Sequence, residues 1–217
     1  MNRRAMTHRR TPYRSLAAPT LPARVLAALA PLALVACGSA GDAPASGERP
    51  PLEGAAIGGP FTLVDKNSKP VTWDSFKGKY RVVYFGYTFC PDACPTDVQQ
   101  MMQGFAAFEK TDPQRAAKVQ PIFITIDPAR DTPAVVGQWT AAFSPRLIGL
   151  TGTPEQVKVA AKAFASYYSK GEETEGGYLM DHSRIAYLMD PDGKPLSMLP
   201  VDKGGPAVAA ELDKWVR

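Results

Sequence analysis

Cysteine and histidine are scarce in this chain: three of the first and two of the second in 217 residues. Cys37 and His8 fall in the first 37 residues, so Cys90, Cys94 and His182 are all that the rest of the chain has. A closed zinc site wants four strong ligands, and no fourth Cys or His remains to supply one. The first 37 residues contain no acid but six arginines, Arg3, Arg4, Arg9, Arg10, Arg14 and Arg24. The net charge of +4 is therefore a property of that segment; the remainder carries 19 of the 25 basic residues against all 21 acids. The high isoelectric point is no argument for nucleic-acid binding. No basic stripe with interleaved aromatics occurs either, so no nucleic-acid partner is expected. There is no internal repeat and no sign of a second domain.

A positive start followed by the short apolar run Val25 to Ala36 has the order of an export signal, and the run is too short to span a bilayer comfortably. It ends Leu34-Val35-Ala36-Cys37-Gly38, which resembles a bacterial lipoprotein signal. That resemblance implies removal of residues 1–36, lipidation of Cys37, and a membrane-anchored protein facing the periplasm or extracytoplasmic space. Residues 37–57, rich in Gly, Ala, Ser and Pro from Gly38 on, read as a flexible tether. Residues 58–217 read as one domain, long enough for a substantial core.

Within that domain Phe61 to Val64 alternates as a short strand, and Arg81 to Tyr87 is a continuous β-branched and aromatic run, as in a strand covered on both faces. A helix follows, with Pro95 in its first turn and Met101, Met102, Phe105 and Phe108 at helical spacing. Val119–Ile126 and Leu147–Leu150 are expected strands, and Pro133–Phe143 and Pro154–Tyr168 helices, capped from Asp131-Thr132 and Thr153. Gly171 to Gly177, with Glu172, Glu173 and Glu175, reads as a solvated polar loop. Ser183–Met189 is a strand, Asp190-Pro191-Asp192-Gly193 a turn, Leu196–Leu199 the returning strand of a hairpin, and Pro206–Val216 a closing helix. Alternating strands and helices predict an α/β domain, a central mixed sheet flanked by helices with a C-terminal hairpin and helix. A strand, a cysteine pair and a helix in succession narrow it to a thioredoxin-like fold.

Cys90 and Cys94 stand in Phe89-Cys90-Pro91-Asp92-Ala93-Cys94-Pro95, at the carboxyl end of the strongest strand, where open α/β sheets place their sites. Cys94 falls near a helix N-terminus, whose unpaired N–H groups and dipole favour a thiolate. The spacing permits a disulfide or two metal bonds. His182, in Asp181-His182-Ser183, stands where thioredoxin-like oxidoreductases normally carry a proline packed against their cysteines. An imidazole there would complete a three-coordinate site, and two thiolates with one imidazole suit copper.

The stretches Gly86 to Pro95, Thr125-Ile126-Asp127-Pro128-Ala129-Arg130-Asp131-Thr132 and Asp181 to Gly193 resemble the Sco/SenC copper chaperones, in that family's order and over nearly all of the domain. The resemblance implies a membrane-tethered protein that binds copper, Cu(I) or Cu(II), through Cys90, Cys94 and His182. It implies delivery to the CuA site of cytochrome c oxidase subunit II, or to another cuproprotein, with other copper chaperones or thiol reductants as further partners. Some members act instead, or also, as thiol–disulfide reductants of that subunit's cysteines; in that role Cys90 and Cys94 are the redox-active pair. Phe89 departs from the family, many of whose members carry a polar or basic residue before the first cysteine.

Other residues have weaker claims. Asp127 and Asp131 flank a strand end and are candidates to hydrogen-bond the cysteine loop or meet a partner. Asp181, adjacent to His182 in an extended chain, points away from it and reads as a surface residue. Met180 is either a soft extra ligand or a core residue. Most tyrosines read as packing residues. The competing functions are a thiol–disulfide oxidoreductase, a peroxidase, which adjacent paired thiols argue against, and a lipoprotein with a structural disulfide.

Overall fold

The computed structural model describes residues 47–174 and 177–217. The export signal expected over residues 1–36 and the lipidation site Cys37 lie outside these residues. In chain order come β1 (Thr62–Val64), β2 (Pro70–Thr72), a 3₁₀ turn (Trp73–Phe76), β3 (Tyr80–Gly86), α1 (Ala93–Thr111), α2 (Pro113–Ala116) and β4 (Val119–Thr125). Then follow α3 (Pro133–Ala141), β5 (Ile148–Leu150), α4 (Pro154–Ala163), β6 (Tyr168–Thr174), β7 (Gly177–His182), β8 (Ala186–Met189), β9 (Pro195–Leu199), a second 3₁₀ turn (Val201–Lys203) and α5 (Gly205–Trp215).

β3 is the middle of a five-stranded sheet of order β5-β4-β3-β8-β9. It runs parallel to β4, which runs parallel to β5, and antiparallel to β8. Every residue of β3 is buried, which explains the apolar run from Val82 on in a strand covered on both faces; Arg81, the one charged residue in it, donates to the Asp190 carbonyl at 3.2 Å. Val82, Val83, Tyr84 and Phe85 pack with Ile122, Phe123 and Ile124 of β4 and Leu188 of β8, all at most 1% exposed. Each such side chain contributes about 1.5–3 kcal/mol when removed from water. The expected α/β class, mixed sheet and terminal hairpin and helix are the observed architecture.

Four segments differ from the sequence reading. The helix expected over 154–168 stops at Ala163, because Ala165 turns left-handed at φ 49° and the Ser166 N–H donates back to Ala161 O at 2.9 Å. Phe164 is thereby plugged into the core at zero exposure. The polar stretch that reads as a loop is strand instead: β6 and β7 form an antiparallel ribbon, separate from the main sheet, with an irregularity between Lys170 and Glu173. Its first strand, Tyr168–Thr174, is Tyr-Ser-Lys-Gly-Glu-Glu-Thr, so its composition carries no apolar alternation to betray it. The strand expected from Ser183 starts only at Ala186, which leaves His182 as the last residue of β7. Finally, part of the expected tether belongs to the domain. Leu52 and Ile57 pack against the core, and the Leu52 N–H donates to Leu196 O at 3.0 Å.

Candidate metal centre

The first turn of α1 has N–H groups with no partner inside the helix. The Asp92 cap residue contributes no side-chain bond. The Cys94 N–H instead donates to the Cys90 sulfur at 3.3 Å. The sulfur thus takes the place of a capping oxygen, and the loop is curled so that both thiols face one point. Cys94 is fully buried and Cys90 half-buried, and neither is in a disulfide. Room for the Cys94 sulfur comes from Gly86 at the end of β3: a Cβ built there would lie 2.9 Å from Sγ.

The hydrogen bond with Cys94 is the main influence holding the Cys90 thiol well below the usual thiol range, helped by the backbone N–H groups of Cys94 and Asp92. The same bond, with burial, pushes Cys94 up. Of the two thiols, Cys90 is therefore the one held down and Cys94 the one held up.

β7 delivers the third group. His182 Nε2 lies 3.2 Å from Cys94 Sγ, across 88 residues of sequence. The ligand atoms of Cys90, Cys94 and His182 all lie within 4.8 Å of one another, and they are the one such Cys/His/carboxylate group of three or more found among the described residues. His182 Nδ1 is 3.0 Å from the Ser183 carbonyl. A carbonyl only accepts, so Nδ1 carries the proton, and in the uncharged ring Nε2 turns its lone pair to the sulfurs. The imidazole is wedged edge-on between Tyr84 and Tyr87, with ring centroids 6.4 and 5.9 Å away.

A shell of residues holds this arrangement: two tyrosines, of a type that reads from sequence as packing, and the pair Asp97 and Arg184, to which the sequence reading assigns no role. Buried Tyr84 lies beside the Cys94 sulfur and donates to Asp97 Oδ2 at 2.8 Å. Asp97, 1% exposed, receives Arg184 Nε and Nη2 at 2.9 and 2.7 Å. The Tyr87 hydroxyl accepts the Met180 N–H at 3.2 Å and interacts with Cys90. One sequence signal was available: Tyr84 and Gly86 share a strand face by the two-residue period, and that is the face Cys94 covers. Asp131 is brought to the cysteine loop. It accepts from the Thr88 N–H at 3.0 Å and from the hydroxyls of Thr88 and Thr125, both at 2.5 Å. Asp127 points instead to Tyr178 and Arg130. Asp181 is exposed, and Met180 packs partly buried against the core. Glu172 and Glu173 are exposed on β6, the latter paired with Lys170, and Glu175 lies outside the described residues.

The sequence profile of the family described as SCO1/SenC matches residues 49–217. The chain is 43% identical over 145 residues to Protein SCO1 homolog 1, mitochondrial, of Arabidopsis thaliana, an alignment covering 67% of this chain and 42% of that protein. It is 45% identical over 137 residues to Protein SenC of Rhodobacter capsulatus, covering 63% and 60% respectively. The chain spans about half the length of the curated relatives it matches. Among solved structures, copper-bound ScoI of Bradyrhizobium japonicum is similar at a TM-score of 0.67 and 40% identity, over 74% of this chain and 100% of that one. Copper-bound ScoI of Arabidopsis thaliana is similar at 0.69 and 36%, over 73% and 98%.

Proposed function

The chain belongs to the SCO1/SenC family, and from that premise we propose that it is a copper carrier, holding its cargo between Cys90, Cys94 and His182. The supporting observation is the convergence of three donor atoms within 4.8 Å, from a helix start and a strand end far apart in sequence. The donors fit copper. Two soft thiolates and an imidazole with its lone pair inward suit Cu(I) without a further ligand, whereas zinc would want a fourth. The half-exposed Cys90 gives the ion a way in and out, and the buried Cys94 fixes it. The recipient is the CuA site of cytochrome c oxidase subunit II or another cuproprotein. The carrier works from a membrane tether at Cys37, facing the periplasm or extracytoplasmic space; among the described residues no helix is long and apolar enough to cross a membrane.

The unequal sulfurs favour a second activity at the same place. A partly accessible thiol held down in pKa beside a fully buried one is the arrangement of a dithiol reductant. The Cys90 thiolate attacks one sulfur of a partner disulfide and the other leaves as thiolate. Cys94, once deprotonated, then displaces the mixed disulfide, leaving Cys90–Cys94 oxidised and the partner a dithiol. His182→Ala separates the two activities. Reduced wild-type protein takes up one copper per chain and the variant binds it much more weakly, while the variant's disulfide reduction largely survives. Equal copper binding with and without His182 refutes the carrier site.

A further inference from the structure

His182 is carried by a ribbon that makes no ladder hydrogen bonds to the main sheet. Two-stranded ribbons are marginal by themselves, so side chains must fix where this one sits. Tyr178, Met180 and His182 alternate along β7 and share one face. Met180 is tied through its N–H to the Tyr87 hydroxyl. Tyr178 is tied more firmly, because Asp127 divides its two oxygens: Oδ1 accepts the Tyr178 hydroxyl at 2.7 Å and Oδ2 accepts Arg130 Nε at 2.5 Å. The Arg130 guanidinium carbon then lies 3.7 Å from the centre of the Tyr178 ring, and 4.9 and 5.7 Å from those of Phe89 and Tyr87.

Asp127 is itself rigidly placed. It is 3% exposed, its N–H donates to the Thr125 hydroxyl, and its carbonyl accepts the N–H groups of Arg130 and Asp131. Arg130 Nη2 is buried with no hydrogen-bond partner. What the group does offer is a flat, weakly hydrated face, and that face is stacked on Tyr178. Phe89 and Tyr87 belong to the segment leading into Cys90, and Tyr178 to the strand leading to His182. Arg130 therefore stands between the sulfur side of the centre and the imidazole side.

We propose that Arg130, locked to Asp127 and stacked on Tyr178, is a positioning residue that sets the seat of the β6–β7 ribbon and, through it, the distance of the His182 ring from the two sulfurs. This rests on the copper reading only for its consequence; the clamp itself consists of contacts between this chain's own side chains.

The test compares Arg130→Ala, Arg130→Lys and Tyr178→Phe with His182→Ala in the reduced full chain. Without metal, hydrogen exchange at the Met180 amide and the ring-nitrogen chemical shifts of His182 are followed by NMR. With metal, Cu(II) and Cu(I) affinities are measured by competition with chelators. Arg130→Ala accelerates exchange along β7 and weakens Cu(II) binding by roughly ten- to a hundredfold, the range for losing a group that orients a ligand. Cu(I), held by both sulfurs, weakens less. Arg130→Lys, which keeps the charge without the plane, behaves as Arg130→Ala does. Tyr178→Phe, which keeps the stack and loses one bond, falls in between. Should Arg130→Ala fold poorly, the Lys and Phe variants decide on the same scale. Unchanged exchange and ring shifts in variants that fold overturn the clamp, as does full copper affinity where His182→Ala has lost it. If His182→Ala binds copper like wild type, the copper reading falls, and the metal-free exchange still decides the clamp.

Discussion

A sulfur's position is set by what stands behind it, and behind Cys94 stands a missing side chain. Gly86→Ala would put a methyl 2.9 Å from Cys94 Sγ and 3.1 Å from a Phe123 ring carbon. The expected result is a loss of about 1–3 kcal/mol of stability from overpacking, with copper affinity reduced because the sulfur must shift. Urea melts and metal competition on the same variant check both. Asp131 gives a pH-dependent expectation. Burial raises its carboxyl pKa despite hydrogen bonds from Thr125 and Thr88. A raised folded value means that its contribution to stability is complete below the unfolded pKa and is lost as pH rises through the folded one. The stability of wild type minus that of Asp131→Asn is therefore largest in acid and declines as pH rises through the folded value of Asp131. Denaturant midpoints of the pair across that interval measure it, and a flat or rising difference contradicts it. The three donor residues that the fold brings together were legible, since scarcity left only Cys90, Cys94 and His182 to choose from. Tyr84, Tyr87, Asp97 and Arg184 were not, because the spacing of a tyrosine cannot tell which neighbour its hydroxyl will meet across the fold.

At the level of strands and helices, segments with strong periodicity declared themselves. β3 and β4 are long and buried, α1 is long with one apolar face turned inward, and Thr132 and Thr153 cap α3 and α4 through the N–H groups of Val135 and Gln156, as their sequences suggest. The β6–β7 ribbon escaped notice because its acidic, glycine-containing first strand has neither of the apolar periods that mark regular structure. The end of α4 escaped because an alanine, not a glycine, adopts the left-handed turn. Helix packing supplies a further expectation. α1 and α5 cross where Gly104 meets Gly205, and a Cβ on Gly104 would lie 2.5 Å from Val208 Cβ and 2.6 Å from Gly205 O. Gly104→Ala forces the helices apart and costs about 1–3 kcal/mol, read as a lower denaturant midpoint. The sulfurs and ring lie elsewhere, so copper stoichiometry at low denaturant is unchanged.

For the molecule as a whole, metal binding and fold are linked through mass action. An ion bound only by the native state adds about 2.7 kcal/mol at a hundredfold excess over its Kd. Copper should therefore raise the melting temperature of the reduced protein, raise that of His182→Ala much less, and leave the Cys90–Cys94 disulfide form unmoved; calorimetry of the three forms tests this. Uptake releases protons from the ligands, so affinity falls in acid. The dithiol rests on the central sheet and its helix, whereas the imidazole arrives on a ribbon whose strands pair only with each other and which side chains tie to the domain. Two inheritances are thus kept in separate ledgers. Evolution, or an engineer, is free to rewrite the outlying arm and so retune how long a metal is kept, while the platform that guards solubility and survival goes untouched.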